Sequence, residues 1–401
     1  MAYAPRRILF LLTVGIERPS GRRYLHIARQ LVQQGDRVRI LALHPDLTTC
    51  RQRRIVQDGV EVWYVGQMHA RKQGSLPQQF GAFGLLRVLI SSTLGLLNGI
   101  LRSPADSYHL GKPQPINGLA ALIGVWLVRR QPFYLDCDDD ETVSNRFTAS
   151  WQRAVFGGWQ WLLPRLAQGV TVNTRYLQQR IRQQTHAPVV YVPNGVDLHG
   201  FTLPPPHIVA GLRAALNLEG QRVIAYIGTL ALHNHPVNLL LDAFACIAPA
   251  LPDAVLLLVG GGEDLPTLRH QAAALGLHKR VRFTGDLPHT SLPAFIALAA
   301  CTVDPVLDNA VARARSPLKI FESMALGVPV VTGAVGDRAE LLDHGQAGVL
   351  VPPGDVAALA AALRALLEDE PRRTQLAAAA RQHVQRYSWA HLARQWAAVY
   401  R

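Results

Sequence analysis

Apolar residues in this chain fall into short unbroken runs, separated by longer stretches in which they recur every third or fourth position. The runs predict buried strands and the longer stretches predict amphipathic helices. The two alternate. In the first half, residues 7–13 read as a strand, 24–34 as a helix, and 38–43 and 60–65 as strands. Helices over 116–128 and 151–167 flank a strand at 133–135, and 169–173 and 189–192 close the half as short strands. The pattern then restarts, with strands at 223–227, 254–259, 281–284, 302–305, 328–332 and 348–351. Helices over 237–248, 265–275, 292–299, 356–367, 371–385 and 389–400 lie between and after them.

Buried strands separated by helices argue for parallel, doubly wound sheets, and the repetition argues for two of them. The expectation is an α/β chain of two Rossmann-like domains. The first covers residues 1–188 plus a terminal helix at 385–401, and the second covers 189–384. The proline-rich run Leu203-Pro204-Pro205-Pro206 marks a surface loop after the restart. One further helix, at 80–101, is unusually apolar. Arg87, Ser91, Asn98 and Arg102 fall on one side of it, and Phe83, Leu86, Ile90, Leu94, Leu97 and Leu101 on the other. Its apolar side is expected to pack on the core or another element, with an interfacial membrane helix as the second reading and a span as the third.

Composition narrows this picture. With 49% hydrophobic and 17% charged residues, the chain can bury large cores and is not disordered or a coiled coil. Its four cysteines form no CxxC pair, so neither a disulfide framework nor a zinc ribbon is expected, and a reducing cytosol is the default. Arg6-Arg7 precedes an apolar run too short for a signal peptide. The 41 Lys+Arg against 28 Asp+Glu give a net charge of +13, and only Lys72, Lys112, Lys279 and Lys319 are lysines. Such a bias reflects either a GC-rich genome or attraction to an anionic partner, with a membrane surface or phosphorylated substrate ahead of nucleic acid.

Three glycine loops follow strands: Gly15, Gly228 and Gly260–Gly262. None is a Walker or GxGxxG motif, so neither a P-loop nor an NAD site is supported. Ligands nonetheless bind beyond the carboxyl ends of such strands, where helix N-termini offer free N–H groups. The stretch 313–331 carries the most chemistry. Ser316 is expected to cap a helix with Pro317 at its first position, and Gly327 to end it. Lys319 and Glu322 stand one turn apart, either facing one pocket or forming a surface ion pair.

Several segments together resemble retaining glycosyltransferases of family 4. Tyr191-Val192-Pro193-Asn194-Gly195-Val196-Asp197 is similar to the family's IPNGVD segment, and Tyr226-Ile227-Gly228-Thr229-Leu230 to its YVGRL. Leu258-Val259-Gly260-Gly261-Gly262 is similar to IVGDG, and 281–285 to VxFxG. Phe321-Glu322-Ser323-Met324-Ala325, with Gly327-Val328-Pro329-Val330, resembles LEAMAxGxPVV. The resemblance covers nearly the whole chain and implies a GT-B fold, two Rossmann-like domains facing a cleft. It also implies transfer of a sugar from a nucleotide-sugar to an acceptor hydroxyl with retention, without a metal or other cofactor. Glycan or lipid-linked acceptors, and a cytoplasmic location peripheral to the inner face of a membrane, go with it. Nucleic acid does not.

Donor binding is expected at the strand-end loops and the helix start, through Gly15, Gly228, Thr229, His235, Gly261, Arg315, Ser316 and Glu322, and the resemblance implies that Glu322 meets the nucleotide ribose. His109, Asp139 and Lys319 are the catalytic candidates. Asp139 comes from the acidic run 136–141, which could face the acceptor, steady a general base or simply be a solvated loop. Four positions depart from the family pattern. Ala314 replaces the first Glu of E-x7-E, Thr229 and His235 stand where basic residues are expected, and Gly111 replaces the second His of HxH. These departures leave a catalytically silent, ligand-binding homologue as the alternative.

Overall fold

The computed structural model describes residues 5–73, 76–147 and 149–400. Two large sheets carry the chain, beside a two-stranded antiparallel one of Ala70–Gln73 and Leu76–Gln79. The first has eight strands in the spatial order Val189–Tyr191, Gly169–Val172, Phe133–Cys137, Ser107–Gly111, Arg7–Leu12, Arg37–His44, Val60–Gln67 and Arg54–Gln57. All neighbours are parallel except the last pair, which is antiparallel. The second sheet is parallel throughout, in the order Val281–Gly285, Ala254–Val259, Arg222–Ile227, Cys301–Asp304, Val330–Gly333 and Val349–Val351.

The expected double α/β architecture is therefore present. The strand at Val189–Tyr191 pairs with Gly169–Val172, so the first sheet extends past the boundary expected at residue 188. Ser107–Gly111 was not anticipated because its short sequence mixes Ser, His and Gly with few apolar residues, yet it is a wholly buried strand at the middle of the sheet. The predicted helix at 116–128 is α-helical over Pro115–Ala120 and π-helical over Ala121–Val128.

Two apolar layers sandwich the first sheet. On one side the Pro19–Gln33 helix packs against the closing helix Trp389–Trp396, with Trp396 set against Phe10 and Tyr24. The chain thus returns to the first sheet after leaving the second. Arg23 stands between the outgoing and returning segments, its guanidinium 5.2 Å from the centre of the Trp396 ring. Its fully buried guanidinium grips Asp136 through two nitrogens, at 3.0 and 3.2 Å, and donates to the carbonyls of Val192 and Pro193.

Helices Ala82–Arg102, Pro115–Val128 and Ser150–Leu166 cover the other side. The first of them is turned opposite to expectation. Its core-facing residues are Val88, Ser92, Leu96, Gly99 and Ile100, while Phe83, Leu86, Ile90, Leu94 and Leu101 are exposed. Small side chains explain the inversion. A Cβ on Gly95 would sit 2.1 Å from the Val65 carbonyl oxygen, and one on Gly99 would sit 2.4 Å from Leu41. The Ser92 hydroxyl donates to the Gln67 carbonyl at 2.9 Å and accepts from the Gln67 N–H at 3.1 Å. Close backbone approach along this stripe outcompetes burial of the greasier side, because close-packed contacts are lost steeply with distance.

Candidate functional site

The carboxyl ends of the two sheets face one another, and each carries a charged cluster. In the second sheet, Gly228 and Gly260 adopt φ of 147° and 135°, which disfavour side chains. A Cβ on Gly260 would lie 2.1 Å from the Gly228 carbonyl oxygen, and one on Gly262 at the same distance from that of Leu230. The two loops therefore lie directly on each other, tied by Leu230 N–H to the Gly261 carbonyl at 2.8 Å. Gly261 N–H also reaches Asp286 Oδ1 at 3.2 Å.

Lys319 sits beneath this double loop. Its Nζ lies 4.0 Å from the centre of the Tyr226 ring and 3.3 Å from Asp304 Oδ1. A Cβ on Gly228 would meet the same Nζ at 3.1 Å. Arg338 holds the other Asp304 oxygen at 3.0 Å. Burial alone would raise the Asp304 pKa, but Arg338 and Lys319 outweigh it and hold the carboxyl below its ordinary value. Arg315 donates to the Asn234 carbonyl at 3.0 Å, which places a second cation beside the loop. Glu322, one turn after Lys319, turns away to His289 Nε2 at 2.8 Å. The surface pair between Lys319 and Glu322 is thus replaced by two separate, largely buried pairs.

Opposite, the first sheet presents the acidic run. Lys112 Nζ lies 3.1 Å from Asp138 and 3.2 Å from Glu141. Lys112 has a positive φ of 70°. The Asn117 side-chain amide donates to the carbonyls of Gly111 and Lys112, at 2.8 and 3.0 Å, and so fixes this turn. Burial disfavours the Lys112 charge, but Asp138 and Glu141 outweigh it and raise its pKa. Asp140 pairs with Arg180 and accepts from Thr142 and Gln160. Asp139 accepts from Ser144 Oγ, and burial pushes its pKa up against the pull of Lys112 and Arg315. The two walls touch where the Asn234 side chain donates to the Ser144 carbonyl at 3.4 Å.

The structure brings Asp139, Arg315, Lys319, His235, Gly228, Thr229 and Gly261 to this seam, with Glu322 further along the same helix as Lys319. Thr229 is exposed, and its carbonyl accepts from the Tyr226 hydroxyl at 2.9 Å. His235 is held well below its ordinary pKa by burial, then by Lys319, Arg315 and Arg338, so it is neutral at pH 7 and supplies no cation. Gly15 is buried in the turn that starts the Pro19–Gln33 helix, and its carbonyl accepts from Arg18 N–H at 3.1 Å.

Two expectations are corrected. His109 is wholly buried in the first sheet, stacked on Phe10 and tilted against Trp396, with Nδ1 at 2.9 Å from the Tyr400 hydroxyl. It is a core residue, and burial holds it neutral. Ser316 does not cap a helix. Pro317 occupies the cap position of Leu318–Leu326, while Ser316 Oγ accepts from Asn194 N–H at 3.0 Å and its carbonyl accepts from the Asn194 amide at 2.6 Å. Ser316 instead ties the crossover segment to the second domain.

The departures from the family pattern also acquire reasons. A Cβ on Gly111 would meet Leu12 at 2.6 Å and Tyr24 at 2.7 Å, so no histidine fits there. Ala314 is fully buried in the apolar cluster of the first sheet. Sequence reasoning missed Lys112, His289 and Arg22 as site residues. Arg22, whose charge burial disfavours, has Glu322 as the chief influence opposing that cost. The rarity of lysine was a signal for Lys112. Nothing comparable marked His289 or Arg22.

Comparison with known proteins agrees with this arrangement. The family model described as "Glycosyl transferase 4-like domain" matches residues 20–195, and that described as "Glycosyl transferases group 1" matches 211–383. The chain is 32% identical over 224 residues to a GDP-mannose-dependent alpha-(1-6)-phosphatidylinositol monomannoside mannosyltransferase of Mycolicibacterium smegmatis, covering 55% of this chain and 58% of that one. It is 30% identical over 223 residues to a D-inositol 3-phosphate glycosyltransferase of Corynebacterium urealyticum, covering 54% and 51% of the two. The chain thus spans a little over half the length of these relatives. Among solved structures, a sucrose-phosphate synthase of Thermosynechococcus elongatus superposes with a TM-score of 0.78 at 20% identity, covering 98% of both chains. HepE of Anabaena, solved with UDP and glucose, gives 0.71 at 22% identity, covering 98% of this chain and 99% of that one. Two sheets with facing carboxyl ends, glycine loops at the seam and both halves of the family matched in order make this chain a GT-B member of the group 1, family 4-like glycosyltransferases.

Proposed function

We propose that the chain transfers a sugar from a nucleotide-sugar to an acceptor hydroxyl, with retention at the anomeric carbon, in the synthesis of a surface polysaccharide or glycolipid. One observation carries the reading: a wall holding Lys319 and Arg315 around stacked glycine loops faces a wall of carboxylates. The first wall suits a nucleoside diphosphate and the second an acceptor hydroxyl. Glu322 accepts from the ribose, displacing or sharing His289. Lys319, Arg315 and the N-terminus of the Leu318–Leu326 helix stabilise the departing diphosphate without a metal. Asp139 stands on the acceptor side.

GDP- and UDP-sugars come first as donors, because the relatives' names and the HepE complex carry GDP-mannose and UDP. The phosphatidylinositol named in one relative supports a lipid-linked acceptor, and the reading places the reaction at a cytosolic membrane face. Thermal-shift measurement against a panel of nucleotide-sugars tests the reading. A ligand at 100 times its Kd stabilises by about 2.7 kcal/mol. A broad panel that leaves the melt unchanged would overturn it. The silent homologue is the second reading, favoured by Ala314 and His109 both being closed into apolar surroundings. It predicts binding without turnover.

A further inference from the structure

A cavity of about 710 Å³ lies where the two crossover segments pass between the domains. Its walls come from four places. Arg175 belongs to the first domain, Glu340 and His344 to the second, Tyr191 to the outgoing segment, and Arg386 and His391 to the returning one. The two segments are joined beside it, with the Val196 N–H donating to the Tyr387 carbonyl at 3.0 Å. None of the lining residues belongs to the seam that holds Lys319, Arg315 and Asp139.

Some charges in the cavity are spent and others are not. Arg175 grips Glu340 through two nitrogens, at 3.3 and 3.1 Å, and its guanidinium lies 3.8 Å from the centre of the Tyr191 ring. Its backbone N–H reaches both oxygens of Asp337, at 3.1 and 3.0 Å. These contacts join the first domain to the second along one wall. Arg386 and His344, by contrast, are exposed, and their side chains make no hydrogen bond or ion pair among the described residues. His344 follows Asp343 in a turn where both hold left-handed backbone, at φ of 53° and 49°. The N–H groups of Gly345 and Ala347 both donate to the Leu342 carbonyl at 3.0 Å and hold the turn. Residues with side chains seldom occupy that region, and such strain collects where a ligand is held.

The lining selects a ligand with an anionic end and a hydroxylated body. Arg386 and His344 donate to a phosphate, and Asp343, whose nearest cation is His383 at 3.9 Å, accepts from hydroxyls. A flat nucleobase is disfavoured because the rings are already engaged. Arg175 covers Tyr191, and Tyr387 packs against Phe321 and His383 with ring centres 5.0 and 5.5 Å away. The volume is that of a site for a small organic molecule and more than an inorganic ion fills. We propose that this hinge cavity binds a sugar phosphate, and that its occupancy tightens nucleotide-sugar binding in the cleft. A ligand spanning the cavity favours the one arrangement in which Arg175 meets Glu340 and Asn234 meets Ser144. The coupling rests on the glycosyltransferase reading, whereas the site itself does not.

Titration calorimetry of the full chain with mannose 6-phosphate tests the proposal. Saturable binding is expected, about tenfold or more tighter than that of inorganic phosphate or of mannose. Arg386→Ala should weaken it about tenfold, and His344→Gly by a similar factor, with the thermal melt of both variants nearly unchanged. Lys319→Ala should bind mannose 6-phosphate normally, which separates the cavity from the donor cleft. With mannose 6-phosphate saturating, GDP-mannose or UDP-glucose should bind about fivefold tighter. Binding no tighter than that of inorganic phosphate, binding unmoved by Arg386→Ala and His344→Gly, or binding lost in Lys319→Ala would each overturn the site. Mannose 6-phosphate binding that leaves nucleotide-sugar affinity unchanged would overturn the coupling. A chain that binds mannose 6-phosphate but no nucleotide-sugar would overturn the glycosyltransferase reading and leave the site standing.

Discussion

The two walls that meet at Ser144 and Asn234 are built alike and charged oppositely. Each sets one buried lysine against carboxylates near the carboxyl end of its sheet. In the first wall a single ammonium, Lys112, serves both Asp138 and Glu141, with Asp139 close by. In the second a single carboxylate, Asp304, is shared by Lys319 and Arg338, with Arg315 close by. The first wall therefore keeps surplus negative charge, and the second surplus positive charge. Where water is scarce such surpluses act strongly. One fold, duplicated, thus carries two facing surfaces of opposite charge, which the proposed function assigns to an acceptor hydroxyl and to a departing diphosphate.

The largest effect expected from disturbing this arrangement is on stability, in the first wall. Lys112→Met leaves Asp138 and Glu141 buried without a counter-ion, and removing one partner of such a pair costs about 3–5 kcal/mol. Chemical denaturation measures this directly. The second wall should respond differently, because Lys319→Ala leaves Asp304 paired with Arg338. That variant should keep its melting temperature to within a few degrees and lose turnover, by about 2–4 kcal/mol of barrier. Lys319→Arg should not restore it, since a planar guanidinium does not fit between the Tyr226 ring and Gly228. If Lys319→Ala unfolds the protein and Lys112→Met does not, the contrast between the walls is wrong.

Much of this was legible in the sequence, for reasons that separate cleanly. Strands such as Ala254–Val259 are continuous apolar runs, and the pattern found them to the residue. Gly327 ends its helix at a φ of 66°, as a left-handed cap should. The pattern failed where packing is decided by small residues or by polar partners. The Ala82–Arg102 helix was turned inside out because periodicity weighs hydrophobicity and ignores how close Gly95 and Gly99 allow the backbone to come. His109 looked catalytic because a histidine in sequence carries no sign of its burial. Ser316 looked like a cap because its true partner, Asn194, is 122 residues away.

A third effect concerns the seam itself. His26, on the first domain's opening helix, stacks flat on Trp389 of the returning helix, with ring centres 5.3 Å apart. Burial, then Arg29, lowers its pKa from 6.5 to about 4. The unfolded chain takes up a proton at this residue near pH 6.5, while the folded chain resists until about pH 4. Stability from this group is thus full above pH 6.5 and falls as the pH drops towards 4. The loss amounts to about 2 kcal/mol after allowing for partial exposure. His26→Phe keeps the stack and should flatten the dependence of melting temperature on pH across that window. An unchanged slope would place the acid sensitivity elsewhere.

The smallest effect, and the sharpest test of how the second wall divides its labour, is at Glu322. It lies one turn from Lys319 on the same helix, yet the two side chains part company, one to His289 and the other to Asp304. If the wall binds a nucleotide-sugar, Lys319 meets the diphosphate while Glu322 meets the nucleoside end. A carboxylate that accepts from two ribose hydroxyls gains charge-assisted bonds, but it must first release or share His289, so the net gain is small. Glu322→Ala should therefore weaken donor binding only about tenfold, or ~1.4 kcal/mol. Glu322→Gln, which retains one acceptor oxygen, should fall between the two. Turnover at saturating donor should barely change in either variant, because the ribose is held alike before and during reaction and uniform binding does not lower the barrier. Titration calorimetry and saturation kinetics on the same preparations separate the two quantities. A Glu322→Ala enzyme with normal donor affinity and reduced turnover would move Glu322 from the nucleoside to the reacting centre, and the division between the two residues would be lost.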